Sequence, residues 1–370
     1  MAIAGAVCCL IWLYLLLGRG MFWRMRDRAV AGDDASVSTP RIAAVIPARN
    51  ESPVVGRTVA SLAKQQYSGE FHIVLVDDGS EDGTAAAARR AAPTDCLTVI
   101  QGAALPAGWT GKLWALSQGI AEAARFAPDY LLLTDADIVH RPGVLRELVA
   151  QAETGYDLVS WMVRLRCETV GERALIPAFV FFFFLLYPPA WIRDPRRETA
   201  GAAGGCILIR REVLERIGGI ASIRAELIDD CALAQAVKGQ GGRVWLGLGA
   251  DSLSIREYGT FGEIGRMISR TAFTQLRHSV WLLMGTVAGL AVTYLLPVVL
   301  ALRGSVLGMV AWALMTAAYL PVLRFYHRSV LWGPLLPAIA MFYAGATVHS
   351  AVAYWRGVGG AWKGRLQDVE

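Results

Sequence analysis

The chain has 370 residues, of which 55% are hydrophobic and only 18% are charged, with a net charge of +5 and a mean hydropathy of +0.41. Soluble domains carry about 25% charged residues, so this composition excludes a pair of ordinary soluble domains, and its aliphatic content excludes a disordered chain. The modest charge, without a basic stripe interleaved with aromatics, argues against a nucleic-acid partner.

The first predicted element is a short transmembrane anchor over residues 1–18. Ala2 to Leu17 carries no charge, and basic residues begin at Arg19. A bilayer needs about 20 apolar residues, with a lower limit near 17. A cleaved signal peptide is the alternative, but its basic residues would precede the apolar run. The positive-inside rule places the chain after Arg19 in the cytoplasm, which predicts a cytoplasmic globular domain at the inner cell membrane.

Residues 38–255 alternate short β-rich runs with helical patterns. Strands are predicted at Ile42–Ile46, Ile73–Val76, Leu97–Ile100, Tyr130–Leu133, Leu158–Val163 and Ile207–Ile209. Helices are predicted at Val54–Gln66, Thr84–Ala92, Leu113–Phe126 and Val144–Ala152. Nearly continuous apolar strands separated by helices predict an α/β fold with a mainly parallel sheet covered on both faces. Ligands of such sheets bind beyond the carboxyl ends of the strands.

Polar motifs end three of the predicted strands. They are Pro47-Ala48-Arg49-Asn50-Glu51, Asp77-Asp78-Gly79-Ser80 and Asp135-Ala136-Asp137. Each has a purely structural explanation, since Asn50 suits a helix cap and Asp78 suits a turn. Three such motifs at one sheet edge favour a binding site instead.

The spacing of Asp135 and Asp137 predicts a cation site. Residues two apart at a strand end point the same way, so both carboxylates can serve one Mg²⁺ or Mn²⁺ ion. Such an ion neutralises a diphosphate leaving group. Gly111-Lys112 lacks the glycine context of a P-loop, which disfavours ATPase chemistry.

Three later stretches each allow two interpretations. The apolar run 174–192 fits either an interfacial segment or a buried core helix. Gly204-Gly205 before a strand indicates a close backbone approach to a ligand or a simple turn. Asp229-Asp230 at a helix start is typical of a cap, and alone it is a weak sign of a site.

The C-terminal third is predicted to be membrane-bound. An amphipathic, basic interfacial helix is predicted over 259–279, followed by transmembrane segments within 280–355 and a basic tail over 356–370. The spans are Val280–Leu302, Ser305–Leu323 and Val330–Trp355. With the N-terminal anchor they make a multi-pass protein, although four spans leave the basic tail outside, against the positive-inside rule.

Together these motifs resemble the processive and lipid-directed family 2 glycosyltransferases, in the order seen there. The motifs that carry the resemblance are Pro47–Glu51, Val76–Ser80, Asp135–Asp137, Ile228–Asp230 and Gln275–Arg277. Within that group the chain is similar to the hopanoid-associated glycosyltransferases, through Gly108–Trp114, Phe181–Phe184, Asp194–Arg197 and Trp362–Arg365.

The resemblance implies a GT-A (Rossmann-like) fold, a nucleotide-sugar donor and bound Mg²⁺ or Mn²⁺. It implies that Asp137 contacts the metal, Asp135 the nucleotide or the metal's waters, and Asp230 acts as general base. The donor-binding residues that it implies are Pro47, Arg49, Asn50, Glu51, Asp77, Asp78, Asp135, Gln275 and Arg277. Lys112, as a charge beside the diphosphate, and Gly205, as a close backbone approach, are added from the residues themselves. Two positions depart from the family, which has Thr at Ile228 and Trp at His278; the second departure argues against processive polymer synthesis.

The function predicted from these residues is inverting transfer of a sugar, from a donor such as a UDP-sugar, to a hydroxyl of a membrane lipid. A general base at Asp230 is needed for a hydroxyl acceptor but not for an anionic one. A hopanoid acceptor is implied by the resemblance alone. Two alternatives remain open: a polyprenyl-phosphate glycosyltransferase and a catalytically inactive membrane scaffold. A transporter is least favoured, because the C-terminal spans carry almost no charge.

Overall fold

The computed structural model describes residues 1–25 and 39–358, which form two compact units. The sheet unit contains residues 39–165 and 192–256, and the helical unit contains residues 1–25, 166–191 and 257–358. The tail from residue 359 onward, with the Trp362–Arg365 motif, lies outside the described residues, as does the start of the predicted domain at Ser38.

The sheet unit is built on one eight-stranded sheet. Its strands are β1 (Ile42–Ala48), β2 (Phe71–Asp77), β3 (Leu97–Gln101), β4 (Tyr130–Thr134), β5 (Ile138–His140), β6 (Leu158–Arg164), β7 (Cys206–Arg210) and β8 (Val244–Ser254), in the order β3-β2-β1-β4-β7-β6-β8-β5. Strands β3, β2, β1 and β4 are mutually parallel, as are β6 and β8, while β7 and β5 run antiparallel to their neighbours. The predicted α/β fold with a mainly parallel sheet is confirmed.

The described residues contain fourteen α-helices, which are divided between the two units. They are α1 (Ala2–Leu13), α2 (Ser52–Ala63), α3 (Thr84–Arg89), α4 (Gly111–Ala123), α5 (Val144–Glu153), α6 (Val170–Leu186), α7 (Pro189–Arg193), α8 (Arg211–Arg216), α9 (Asp229–Gly239), α10 (Phe261–Gln275), α11 (Val280–Leu290), α12 (Leu296–Leu302), α13 (Val306–Phe325) and α14 (Leu336–Trp355). Apolar side chains of α2 and α5 pack with β1, β2 and β4 in the main core. All seven residues of β1 are buried, as expected for a central strand covered on both faces.

Two strands, β5 and β8, were not predicted. The longer one, β8, contains Gly247 and Gly249 together with polar residues, which lower its β-propensity. The glycine at 249 is required by packing, because a Cβ there would lie 2.8 Å from the Cβ of Trp161 on neighbouring β6. The close packing against Trp161 requires a glycine, and this glycine lowers the β-propensity from which the strand would have been predicted.

The helical unit contains four stretches that are long and apolar enough to cross a membrane. They are Val170–Arg193, Val280–Leu302, Val306–Phe325 and Val330–Trp355, and a shorter apolar stretch covers Ala2–Gly18. Three of the four overlap the spans predicted near the C-terminus. The fourth contains the apolar run 174–192, for which an interfacial position remains a prediction. About half of this stretch is buried within the protein.

A buried carboxylate organises the start of α6. The side chain of Glu172 is 0% exposed, and the Nη1 atom of Arg166 lies 2.9 Å and 3.0 Å from its two oxygens. The backbone N–H groups of Glu168, Thr169 and Tyr258 also donate to Glu172, and Thr169 completes a capping box. The segment entering α6 is thereby bonded to the segment that precedes α10.

Candidate functional site

The carboxyl ends of three parallel strands meet at one edge of the sheet. Because β1 lies between β2 and β4, the residues after Ala48, Asp77 and Thr134 are brought to the same edge. Most of the predicted site residues of the sheet unit follow these three ends. The topology therefore supplies the convergence that the sequence motifs indicated.

The loops after β1 and β2 are bonded into one surface. The Nη1 atom of Arg49 donates to the backbone carbonyl of Asp78, and lies 3.9 Å from its Oδ2 atom. Asn50 has a left-handed φ of 51°, its N–H donates to Ser80, and its side-chain oxygen accepts from the N–H of Glu81. Asp78 is fully buried, and Asp77 accepts a hydrogen bond from the N–H of Ser80. Hydrogen bonds thus join the two loops at the positions predicted to hold the nucleoside, with the carboxylates of Asp77 and Asp78 buried beneath them.

Lys112 is held between carboxylates at the start of α4. The side chain of Thr110 caps this helix. The Nζ atom of Lys112 lies 3.0 Å from an oxygen of Asp135 and 3.0 Å from an oxygen of Asp229. Burial alone would lower the pKa of Lys112, but the charges of Asp135, Asp229 and Asp230 outweigh burial and raise it. The ammonium is thus charged at any physiological pH.

The predicted general base, Asp230, lies in the first turn of α9. Its Oδ2 atom accepts from the N–H of Gly204 at 2.8 Å, and its Oδ1 atom from the N–H of Cys231 at 2.7 Å. Burial and the charge of Asp229 raise the pKa of Asp230 to about 6, against the opposing effect of Lys112. A carboxylate with this pKa is ionised at neutral pH and is a stronger base than an ordinary aspartate.

Lys112, Asp135, Asp229 and Asp230 share one cavity of the sheet unit with Gly204 and Pro47. Its remaining lining is largely apolar and consists of Leu113, Leu116, Leu133, Ile207, Ile220, Ile223 and Leu233, with Thr134. Three carboxylates and one ammonium leave a net charge of −2 when all are ionised. This net charge repels a nearby diphosphate unless a cation accompanies it.

Of the two adjacent glycines, it is Gly204 rather than the predicted Gly205 that lines the cavity. A Cβ on Gly204 would lie 3.2 Å from Nζ of Lys112 and 3.4 Å from Oδ2 of Asp230. A Cβ on Gly205 would instead meet Val163, at 3.1 Å, and the Gly205 carbonyl accepts from the hydroxyl of Thr134. Gly204 therefore permits a close approach of the backbone to Lys112 and Asp230, and an approach to a ligand remains a prediction.

Asp135 and Asp137 occupy the turn between β4 and β5, so the alternation of a strand does not apply to them. Asp135 points to Lys112, whereas the Oδ2 atom of Asp137 accepts from Ser254 and from Nε of Arg256, each at 3.0 Å. Burial and the charges of Asp137 and Asp229 raise the pKa of Asp135, while Lys112 lowers it. The two carboxylates therefore influence each other electrostatically while holding different partners.

The donor set fits a loosely held divalent ion. Among residues 1–25 and 39–358, no group of three or more His, Cys, Asp or Glu side chains is arranged to hold a metal. Mg²⁺ and Mn²⁺ sites in nucleotide-binding proteins use one or two carboxylates, with substrate phosphates and water completing the coordination. Asp135 and Asp137 are carboxylates of this kind beside a cavity of net negative charge, and their role as metal ligands remains a prediction.

The buried side chain of His140 stabilises the turn between β4 and β5. The Nε2 atom of His140 lies 3.1 Å from the hydroxyl of Thr134, and its Nδ1 atom lies 2.8 Å from the hydroxyl of Ser252. Burial lowers the pKa of His140 to about 4, so the ring is neutral. Together with the hydroxyl of Thr58, which donates to the carbonyl of Ala136, it fixes the backbone that carries Asp135 and Asp137.

Gln275 and Arg277 belong to the helical unit. The Oε1 atom of Gln275, the last residue of α10, accepts from the hydroxyl of Tyr187 at 2.8 Å. Arg277 and His278 both have left-handed φ angles, and the ring of His278 stacks on Tyr354 with centroids 4.1 Å apart. The donor-binding role of Gln275 and Arg277 remains a prediction.

The residue that the sequence did not single out is Arg256. Its Nη2 atom lies 2.6 Å from Oε1 of Glu51, and its Nε atom lies 3.0 Å from Oδ2 of Asp137. It follows β8, the strand that was not predicted, and no motif surrounds it. Only the pairing of β8 with β5 brings it beside the turn that carries Asp137.

The sheet unit is similar to known glycosyltransferases. The sequence profile of glycosyl transferase family 2 matches residues 43–218. An undecaprenyl-phosphate 4-deoxy-4-formamido-L-arabinose transferase of Pseudomonas fluorescens is 36% identical over 136 residues, which cover 36% of this chain and 38% of that protein. An N-acetylglucosaminyltransferase of Rhizobium leguminosarum bv. viciae is 34% identical over 123 residues, which cover 32% of this chain and 27% of that protein. The chain thus spans less than half the length of these curated relatives.

The fold is shared with a solved structure. A mannosyltransferase from Pyrobaculum calidifontis, solved in complex with GDP-Man and Mn²⁺, aligns with 94% of this chain and 99% of its own chain, at a TM-score of 0.57 and 19% identity. Likeness at this identity establishes the fold alone, and it confirms the predicted GT-A architecture. Residues 43–218 are thus similar in sequence to glycosyl transferase family 2, and the fold is a GT-A sheet domain followed by long apolar C-terminal helices.

Proposed function

We propose that this protein transfers a sugar from a nucleotide-sugar donor to a membrane lipid acceptor. The observation that carries the proposal is the single cavity in which Lys112, Asp135, Asp229 and Asp230 meet at the carboxyl edge of the sheet. Ligands of α/β sheets bind at this edge. The apolar helices of the other unit support a lipid acceptor, since they are long enough to hold the protein in a membrane.

The donor is assigned to the surface formed by the loops after β1 and β2 and to the cavity beside it. Asp77 and Asp78, held by the loop of Arg49 and Asn50, are suited to the hydroxyl and N–H groups of a nucleoside. Lys112 is suited to the diphosphate, because its charge persists at neutral pH. A bound Mg²⁺ or Mn²⁺ would be held by Asp137 and Asp135, and it would supply positive charge to the departing diphosphate. The mannosyltransferase that shares this fold was solved with GDP-Man and Mn²⁺, which agrees with this assignment.

The acceptor has two candidates. The names of the curated relatives favour the phosphate of a polyprenyl lipid, which attacks without losing a proton to the enzyme. The raised pKa of Asp230 favours a lipid hydroxyl, whose proton Asp230 would accept as the oxygen attacks the anomeric carbon. A hopanoid as that hydroxyl lipid rests on the sequence resemblance alone.

One experiment tests the function and separates the acceptors. Detergent-solubilised protein is incubated with Mn²⁺, a panel of nucleotide sugars, and either undecaprenyl phosphate or extracted neutral lipids, and the products are identified by mass spectrometry. We expect a lipid that has gained one sugar. Protein that neither binds nucleotide at millimolar concentration nor forms product would refute the proposal and favour an inactive scaffold.

The variant Asp230→Asn separates the two chemistries. Loss of a general base typically costs about 100-fold to 10,000-fold in rate, so transfer to a hydroxyl should fall by that factor. Transfer to a phosphate should fall far less. Asp251→Asn is the matched control, because Asp251 is a partly exposed carboxylate of the same unit that pairs with Arg141 and does not line the cavity.

A further inference from the structure

Arg256 connects two motifs that are far apart in the sequence. Its guanidinium contacts Glu51, which follows β1, and Asp137, which follows β4, at 2.6 Å and 3.0 Å. Both carboxylates are only 9% exposed, whereas the arginine is 32% exposed. A planar guanidinium is able to hold two carboxylates at once, which a lysine ammonium does with poorer geometry.

The same contacts fix the orientation of Asp137. Its Oδ2 atom accepts from both Arg256 and Ser254, and its backbone carbonyl accepts from the N–H of Ile255 at 2.9 Å. With Oδ2 committed to two donors, Oδ1 is the oxygen that remains to be directed at a cation. Residues that orient a metal-binding carboxylate in this way act on metal affinity through the carboxylate.

We propose that Arg256 is a positioning residue for the divalent cation of the donor site. It holds Asp137 in the orientation that binds the cation and ties the Glu51 loop to the turn that carries Asp137. The inference rests on the proposed function, since it concerns the cation that accompanies the nucleotide. Two carboxylates and one guanidinium leave this group a net charge of −1, so a divalent ion beside Asp137 is still attracted.

The test is the affinity for Mn²⁺, measured by the EPR signal of the free ion with UDP or GDP present. Wild type, Arg256→Gln and Arg256→Lys are compared as full-length protein in detergent, well below their melting temperatures. Loss of a residue that orients a metal ligand typically weakens metal binding about 10-fold to 100-fold. We expect that loss for Arg256→Gln and a smaller loss for Arg256→Lys, which keeps the charge.

Arg210→Gln is the matched control. Arg210 also lies between two carboxylates of the sheet unit, 3.3 Å from Glu153 and 4.0 Å from Asp157, and its exposure of 29% is similar. It lies on β7 where that strand pairs with Tyr130, at the opposite end of β4 from Asp135. Its variant should bind Mn²⁺ as wild type does, even if its melting temperature falls.

Four outcomes would overturn the inference. If Arg256→Gln melts earlier but binds Mn²⁺ as wild type does, Arg256 is only structural. If that variant binds Mn²⁺ more tightly, Arg256 competes with the cation for Asp137. Should Arg256→Gln fail to fold, Arg256→Lys decides the matter, and wild-type affinity in that variant contradicts the proposal. Wild type that binds no Mn²⁺ with either nucleotide refutes the proposed donor chemistry as well, so the two failures are distinguishable.

Discussion

Lys112 pairs with two carboxylates of the cavity, and the variant Lys112→Met measures how strongly these charges are coupled. At 3.0 Å and an effective dielectric of about 20, its attraction to Asp135 and to Asp229 is about 5 kcal/mol each. Desolvation of Lys112 and the partial exposure of Asp135 offset much of this sum. Breaking a buried ion pair by removing one partner costs about 3–5 kcal/mol, and we take the lower end, about 3 kcal/mol.

For a domain of the size of the sheet unit, a loss of 1 kcal/mol in the free energy of unfolding lowers the melting temperature by about 2–4 °C. A loss of about 3 kcal/mol in Lys112→Met should therefore lower the melting temperature by about 6–12 °C at pH 7.5. Differential scanning fluorimetry of the detergent-solubilised protein measures the shift. The difference in melting temperature between wild type and Lys112→Met, here called the deficit, should become smaller as the pH is lowered towards 5. Without the ammonium, the pKa values of Asp135 and Asp230 rise further, and a carboxylate whose folded pKa is raised gains folded stability as it takes up a proton.

Lys238→Met is the control for this prediction. The Nζ atom of Lys238 donates to the carbonyls of Ile192 and Thr199 at 2.7 Å and 2.8 Å, so its loss leaves neutral acceptors without an ammonium partner. Its deficit should not change between pH 7.5 and pH 5. A Lys112→Met deficit that is equally flat, or that is below 1 °C, would refute the charge coupling between Lys112 and its carboxylates.

Three further predictions concern stability and access to the cavity. Glu172→Ala should cost about 3–5 kcal/mol, because Arg166 is left without its buried partner, and thermal unfolding in detergent measures the loss. Since the pKa of His140 is lowered from 6.5 to about 4, the folded state resists protonation. Wild type should therefore lose about 3 kcal/mol between pH 7 and pH 4, and His140→Gln should lose less in urea titrations at each pH. Gly204→Ala should lower kcat more than melting temperature, because its Cβ crowds the cavity; Gly239→Ala, with nothing within 4 Å of the added Cβ, should leave both unchanged.

The fold was largely predictable because its strands are buried on both faces. Strands such as β1, with seven buried residues, read as continuous apolar runs, and the helices between them required parallel pairing. The hydrophobic pattern did not predict β8, in which Gly249 is needed because of its close contact with Trp161. A packing requirement imposed by a distant residue has no local signature, so the end of the sheet formed by β8 and β5 could not be predicted.

The site was predictable to the extent that it follows strand ends. The placement of Asp78 and Asp135 at one edge was predictable because parallel strands bring the residues that follow them together. Asp229 and Asp230 were ambiguous, since an acidic helix start is usually a cap. The 2.8 Å bond between Asp230 and the N–H of Gly204 adds a tertiary contact that a cap does not require, and the catalytic role of Asp230 remains a prediction. Arg256 was missed because its role depends on a pairing between β8 and β5, more than 100 residues apart in the chain.

The composition of the cavity bears on whether the site is functional or structural. Most of its other lining residues are aliphatic. Leucine or isoleucine at the charged positions would be compatible with these neighbours. Replacing buried ion pairs by apolar residues is often neutral or stabilising, by about 1–4 kcal/mol. Here three carboxylates share one ammonium, and the raised pKa of Asp230 reflects charge that Lys112 does not fully compensate. A scaffold has no need of this uncompensated charge, whereas a site that receives a cation together with a diphosphate does.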